Sequence, residues 1–501
     1  MSTRPHVLLF NPDQWRGDVL GHMGDPAAVT PNLDRFAETE GVSFRNAFCQ
    51  NPVCTPSRCS FMTGWYPHVR GHRTMHHMLH PERGEPNLMR ILKDNGYFVW
   101  WGGKNDLVPG QDGRSSYCDV SFRASDDDYA RWGFSPRASH WGIDGEFRGA
   151  SGGDSYYSFY VGRADKGDEE IYCDNDWSMV LGAIDFIRGY KGDKPLFIYL
   201  PLGFPHPPYR VEDPYYSMVD PGKIPPRIPT PESWDGKPSL VKGVWDRLNM
   251  KDWTEERWTE LRRTYYGMCA RVDDQFGRVL DAFREAGIYD ETAVFMFSDH
   301  GDFTGDYGLV EKTQNTFEDC LARVPFLAKP PAGHEVKPRV SDAMVELIDF
   351  SATVYELTGI DPGYSHFGRS LLPVLAGETD DVRDAAFCEG GRLRGETHCM
   401  EVESTSSMKP EGLYWPRVGL QAVEDPMHHT KAAMCRTKDY KYVRRHYESD
   451  ELYDLAKDPG ELNNVIDDPA YADILVKLKD RMLRWYMETC DVVPFDTDRR
   501  G

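Results

Sequence analysis

Residues 85–104 read EPNLMRILKDNGYFVWWGGK. The spacing predicts a helix over Glu85–Asn95, with Pro86 in its first turn and Gly96 closing it. Tyr97–Trp101 is then a strand that feeds Gly102, Gly103 and Lys104. The same alternation extends along most of the chain. His6–Phe10 (HVLLF) is a short buried strand ending in polar residues, and Asn32–Glu40 is a helix opened by a Thr-Pro-Asn start signal. Trp177–Gly189 is a helix, Pro195–Leu200 a strand, Glu255–Ala286 a long helix closed by Gly287, and Thr292–Phe297 a strand. Strands alternating with helices predict an α/β fold: a large, mostly parallel sheet sandwiched by helices. In such sheets ligands bind beyond the carboxyl ends of the strands. Asp13, Lys104, His206 and Asp299 all follow predicted strands closely, so they are candidates for one shared site.

The stretch 201–253 is rich in Pro, Trp and Gly and reads as a long surface excursion of the kind that shapes pockets. After Pro373 the texture changes. Met434–Tyr447 alternates as a pair of strands and Tyr471–Met487 is an amphipathic helix. The expected division is therefore a catalytic α/β domain over 1–375 and a smaller C-terminal α+β subdomain over 376–501.

Composition narrows the function. The formal net charge of -22 disfavours nucleic acid as a partner, because binding it needs a basic surface. An anionic substrate would be repelled at long range, so its pocket must carry a local cluster of cations. Before Asn11 the apolar run is only four residues, which is too short for a signal peptide, and no stretch is long and apolar enough for a membrane span. The eleven cysteines show no paired spacing, so the expected setting is reduced and cytoplasmic.

The strongest local feature is Cys54-Thr55-Pro56-Ser57-Arg58, followed by Thr63-Gly64. A second cluster, Phe297-Ser298-Asp299-His300-Gly301, sits after a strand and is followed by Lys312. Together these segments resemble the signatures of the formylglycine-dependent sulfatases, in the alkaline phosphatase superfamily, and the resemblance extends from His6 to about Met487. It implies an alkaline phosphatase-like fold and the hydrolysis of a sulfate ester, with a sulfated carbohydrate as the default small-molecule or oligosaccharide substrate. It also implies that Cys54 is oxidised after translation to formylglycine by a formylglycine-generating enzyme or an anaerobic maturase. One hydroxyl of the hydrated aldehyde attacks sulfur, and the other lets the resulting hemiacetal collapse and release sulfate. Arg58 would orient that hydrate from its fixed fork of donors.

The resemblance assigns one divalent metal ion to Asp13, Gln14, Asp299, His300 and position 54. Oxygen-rich ligands put calcium first. His300 and Gln14, which stands where a second aspartate is common, admit manganese, zinc or magnesium. Lys104 and Lys312 would grip the sulfate, and His206, within Pro205-His206-Pro207-Pro208, would protonate the leaving oxygen. Asp106 stands where the family carries a histidine, so its role is open between base, structural residue and substrate contact. The Asp-Gln and Asp-His pairs also occur in phosphonate monoester hydrolase relatives, which leaves a phosphonate monoester or phosphodiester hydrolase as the alternative. A binding protein that kept the fold without catalysis is a third reading, and Asp106 is its best support.

Four histidines, His72, His76, His77 and His80, either line the pocket or coat a solvated loop. Arg271–Gln275 reads as helix packing. Tyr215, Tyr216, Trp234 and Trp245 either stack on sugar rings or pack the excursion. The sequence leaves a homo-oligomer open.

Overall fold

The computed structural model describes residues 4–110, 113–138, 147–401, 409–423 and 425–500. Its strands are β1 (His6–Asp13), β2 (Val42–Phe48), β3 (Phe98–Gly102), β4 (Val120–Phe122), β5 (Tyr160–Ala164), β6 (Leu196–Pro205) and β7 (Tyr209–Glu212). They continue with β8 (Thr292–Phe297), β9 (Phe326–Lys329), β10 (Arg339–Glu346), β11 (Ala386–Gly390), β12 (Ala432–Arg436), β13 (Tyr440–Arg445) and β14 (Glu451–Asp454). Eight of them form one sheet in the order β10-β2-β9-β8-β1-β6-β3-β4. Only β9 runs against its neighbours, so the sheet is mostly parallel, as expected.

The central strand explains the two-layered core. Side chains alternate between sheet faces, so Leu8 and Phe10 enter one apolar cluster while Val7 and Leu9 enter another. Both faces are covered, which is why the run Val7–Phe10 is apolar without alternation. The long helix Glu255–Glu285 covers the first face, where Phe276 meets Phe10 edge-on at 5.3 Å. The helices Cys54–Thr63, Leu88–Asp94 and Asp349–Thr358 supply Phe61, Leu92 and Phe350 to the second.

The opening stretch departs from expectation by a turn. Its helix starts at Leu88, not Glu85, because the Asn87 side chain accepts from the Met89 N–H and caps it. Pro86 therefore precedes the helix. The excursion 201–253 holds more structure than expected: the end of β6, all of β7 and the helix Ser239–Leu248. Of its aromatics Tyr215 is buried, and Tyr216, Trp234 and Trp245 are half-buried. The Tyr215 hydroxyl donates to Asp274 and that of Tyr216 to Glu260, while the Trp234 and Trp245 rings lie 5.3 Å apart.

The C-terminal region forms a second, antiparallel sheet, β11-β12-β13-β14. One face carries the helix Ala472–Thr489 through Leu478, Met482 and Trp485. The other face gives Ala432, Met434 and Val443 to the large sheet's second core. All eleven cysteines are free, and ten are buried. Among the described residues, no helix is long and apolar enough to cross a membrane.

Candidate active site

Sheet register brings the distant candidates together. In β1 and β8, Phe10 pairs with Met296, so Asp13 and Asp299 emerge side by side three residues later. In β6, Pro205 pairs with Asp13, which puts His206 at the same edge. Lys104 arrives by a tight approach of β3 to β6, where its N–H donates to the Pro201 carbonyl at 3.0 Å. Gly103 permits that approach. Its φ is +129°, and a Cβ there would lie 2.0 Å from the Pro201 oxygen.

Cys54 begins a helix whose ten residues are all buried. Pro56 fits in the first turn, where a backbone N–H would lack a helical partner anyway. Arg58, four residues after Cys54, falls on the same helix face. Its Nη2 donates to Asp13 Oδ2 at 2.9 Å, its Nε to Asp299 Oδ2 at 2.9 Å, and its Nη1 to Asn11 Oδ1 at 2.9 Å. All three ions of this group are fully buried. Arg58 thus orients both carboxylates, leaving an Oδ1 of each on the Cys54 side.

The Cys54 Sγ lies 3.2 Å from His300 Nε2, 3.5 Å from Lys104 Nζ and 3.6 Å from Asp13 Oδ1. Burial, and then the Asp13 charge, push the unliganded thiol far above its ordinary range. A thiol so placed makes a poor thiolate nucleophile. Burial would also raise the Asp13 carboxyl, but Lys104 and Arg58 hold it well below the usual carboxylate range.

Ligand atoms of Asp13, Cys54, Asp299 and His300 all lie within 4.8 Å of one another, and all four residues are buried. His300 is in the tautomer a ligand needs. Its Nδ1 faces the Gly301 carbonyl at 2.9 Å and must donate there, which leaves the Nε2 lone pair free toward Cys54. Burial lowers its pKa and keeps the ring neutral. Two carboxylates and one imidazole, closely spaced and buried, fit a divalent cation.

Gln14 adjoins this group but acts as a bridge. Its backbone, at φ +71°, turns the N–H to Asp299 Oδ1 at 3.2 Å. Its Oε1 accepts from Lys312 Nζ at 2.8 Å and its Nε2 donates to Asp302 Oδ2 at 2.5 Å.

Two lysines flank Cys54. Lys104 pairs with Asp13 at 2.6 Å and Asp106 at 2.8 Å, and these charges raise its pKa against burial. Asp106 therefore serves here as a partner of Lys104. Lys312 contacts Gln14, His206 Nε2 at 2.8 Å and Glu311 Oε1 at 2.6 Å. The His206 Nδ1 faces the Pro207 carbonyl at 2.6 Å and donates to it, so Nε2 is the acceptor from Lys312. Burial, then Lys312, lower the His206 pKa well below its ordinary value. The resting proton at this position is thus on lysine, not on histidine.

Sequence reasoning missed four neighbours. Asp302 holds Gln14 and accepts from the Tyr209 hydroxyl at 2.8 Å, and burial pushes its carboxyl up to about 6. Glu311 and Arg417 join Lys312 from the other side. Burial, and then the charge of Glu311, push the hydroxyl of Tyr414, on the same C-terminal segment, well above its ordinary range. Asp302, three residues after Asp299, and Glu311, next to Lys312, carried a local signal; Arg417 and Tyr414 carried none.

The histidine-rich segment mostly binds itself. His72 pairs with Glu85 at 3.1 Å, and the His76 and His77 rings lie 4.8 Å apart, with His398 beyond them. In the Gly390–His398 stretch, Glu396 pairs with Arg73 at 2.8 Å. Arg271 is buried between Asp174 and Glu212 and supports packing, as expected.

The sulfatase family profile matches residues 5–360, and the profile for the C-terminal part of N-sulphoglucosamine sulphohydrolase matches residues 421–488. The chain is 27% identical over 532 residues to the multifunctional alkaline phosphatase superfamily protein PehA of Trinickia caryophylli, covering 98% of this chain and 96% of that one. It is 27% identical over 522 residues to an arylsulfatase of Clostridium perfringens, covering 96% and 94%. The solved phosphonate monoester hydrolase of Agrobacterium radiobacter superposes with a TM-score of 0.73 at 24% identity, covering 99% of each chain.

Proposed function

The chain belongs to the sulfatase family and is a sulfuric ester hydrolase; we propose that its nucleophile is a formylglycine made from Cys54 and that Asp13, Asp299 and His300 hold a divalent cation beside it. The observation that carries this reading is the placement of the buried Cys54 Sγ between the carboxylate–imidazole cluster and Lys104. Formylglycine at position 54, once hydrated, would supply the attacking hydroxyl and a second hydroxyl for release of sulfate. A divalent cation held by Asp13, Asp299 and His300 would lower the pKa of the attacking hydroxyl and offset the charge of the ester.

The protein's own side chains do the rest. Arg58 fixes both carboxylates. Lys104 and Lys312 grip sulfate oxygens and offset the net charge of -22 locally. His206 and Lys312 meet the departing oxygen as a pair, with the proton held at Lys312 Nζ. Gln14 holds Lys312 in register with the carboxylates and, beside Asp299, adjoins the proposed cation site. A sulfated carbohydrate is the proposed substrate, supported by the C-terminal match to a profile named for a sulphoglucosamine sulphohydrolase. Cys54 also implies a partner enzyme that oxidises it.

A second reading, a phosphonate monoester or phosphodiester hydrolase, is favoured by Gln14 and His300 and by the similarity to a protein described as multifunctional. Sulfate monoesters and phosphate diesters both present one negative charge, so the same cations serve either. Turnover of an aryl sulfate against an aryl phosphonate separates the two. Sulfate cleavage is expected to be the faster, and faster phosphonate cleavage would reverse the assignment.

Metal removal is the companion measurement. Exhaustive chelation is expected to lower kcat by at least about a hundredfold, the scale of losing one preorganised electrostatic stabiliser. Calcium, manganese, zinc and magnesium, added back singly, identify the ion by activity and by the rise in unfolding temperature. Full activity with no bound metal would overturn the cation.

A further inference from the structure

We infer that Glu311 and Arg417 are positioning residues for hydrolysis, with the arginine of the C-terminal region bracing the carboxylate that aims Lys312. This rests on the proposed reading, in which Lys312 and His206 meet the departing oxygen.

The geometry is specific. The three donors of Lys312 have three partners: Gln14 Oε1 at 2.8 Å, His206 Nε2 at 2.8 Å and Glu311 Oε1 at 2.6 Å. With two of its protons fixed on Gln14 and Glu311, the ammonium has one orientation, and its third proton is directed at His206 Nε2, the place where the departing oxygen is met. Gln14 and His206 lie at the strand edge, so Glu311 is the leg of the tripod that comes from outside it. The other Glu311 oxygen, Oε2, faces Arg417 Nε at 3.4 Å. Glu311, Lys312 and Arg417 are exposed by only 4%, 3% and 5%.

The backbone is set for this contact. Glu311 sits at φ +65°, where residues other than glycine are uncommon. Its N–H donates to the Tyr209 hydroxyl at 3.0 Å, and its carbonyl accepts from the Phe303 N–H at 2.9 Å. A left-handed glutamate pinned at both backbone groups and buried between two cations is an arrangement that surroundings must enforce. Arg417 lies on the helix Trp415–Gln421, so the C-terminal region completes a site whose other members precede residue 313.

If Glu311 aims Lys312 at the leaving oxygen, its loss should matter most where the leaving group is poor. Steady-state kcat and KM are measured for wild type, Glu311→Gln, Arg417→Lys and Arg417→Ala on 4-nitrophenyl sulfate and phenyl sulfate. Glu311→Gln is expected to lower kcat about tenfold more on phenyl sulfate than on 4-nitrophenyl sulfate, with KM changing less than about threefold. Arg417→Ala should show the same skew and Arg417→Lys should restore most of it. Equal losses on both esters in folded protein, or no loss, would overturn the inference. The wild-type control separates this from the underlying reading. Silence on both aryl sulfates and on a panel of sulfated mono- and disaccharides would refute that reading, and the same leaving-group comparison would then be made on aryl phosphonates.

Discussion

Cys54→Ala is expected to cut turnover by at least about 10⁴-fold, the scale seen when a covalent nucleophile is removed. The fold should survive. The change deletes one buried atom, and the ion group of Arg58, Asp13 and Asp299 does not depend on it. Stability should therefore shift by no more than about 1–2 kcal/mol. The loss would follow from chemistry, because the remaining charged groups bind and polarise an ester but none is placed to attack it. The measurement is kcat on an aryl sulfate together with the mass of the Cys54 peptide from active wild type. A variant with full activity, or an active enzyme carrying a plain thiol, would sink the mechanism.

The second large effect is structural. Arg58→Leu leaves Asp13 and Asp299 buried with no cation bridging them. Removing one partner of a buried pair costs about 3–5 kcal/mol, because the stranded charge keeps its desolvation penalty. The variant should therefore unfold at lower denaturant concentration and lose activity. A divalent cation would supply the missing positive charge to the same carboxylates. It should thus recover more stability in the variant than in wild type. Denaturation curves with and without chelator decide the matter; a variant within about 1 kcal/mol of wild type in chelator would refute the argument.

Much of this site could be read before folding was known. Asp13, Lys104, His206 and Asp299 each follow a run recognisable as a strand, and a parallel sheet collects such positions at one edge. Other parts were hidden for physical reasons. The four residues of β9 carry no local mark that they run against their neighbours. Glu311 adjoins Lys312 in sequence, but its contact with Arg417 is acquired only across the fold, and Arg417 lies in no pattern that sequence alone interprets. The proton state of His206 depends on a lysine 106 residues away. Of the excursion's Tyr215, Tyr216, Trp234 and Trp245, only Tyr215 is buried, with its hydroxyl on Asp274, while the other three stay partly exposed.

The burial of Cys54 also has a consequence in time. Only 1% of the residue is exposed, and the nine residues after it in the helix are buried with it. On the proposed reading, an enzyme that oxidises this cysteine would have to reach it before the helix is buried, so the modification would belong to the interval between synthesis and folding. A chain that folded first would keep its thiol, and the fraction of active molecules would record a race between the maturing enzyme and the closing of the sheet.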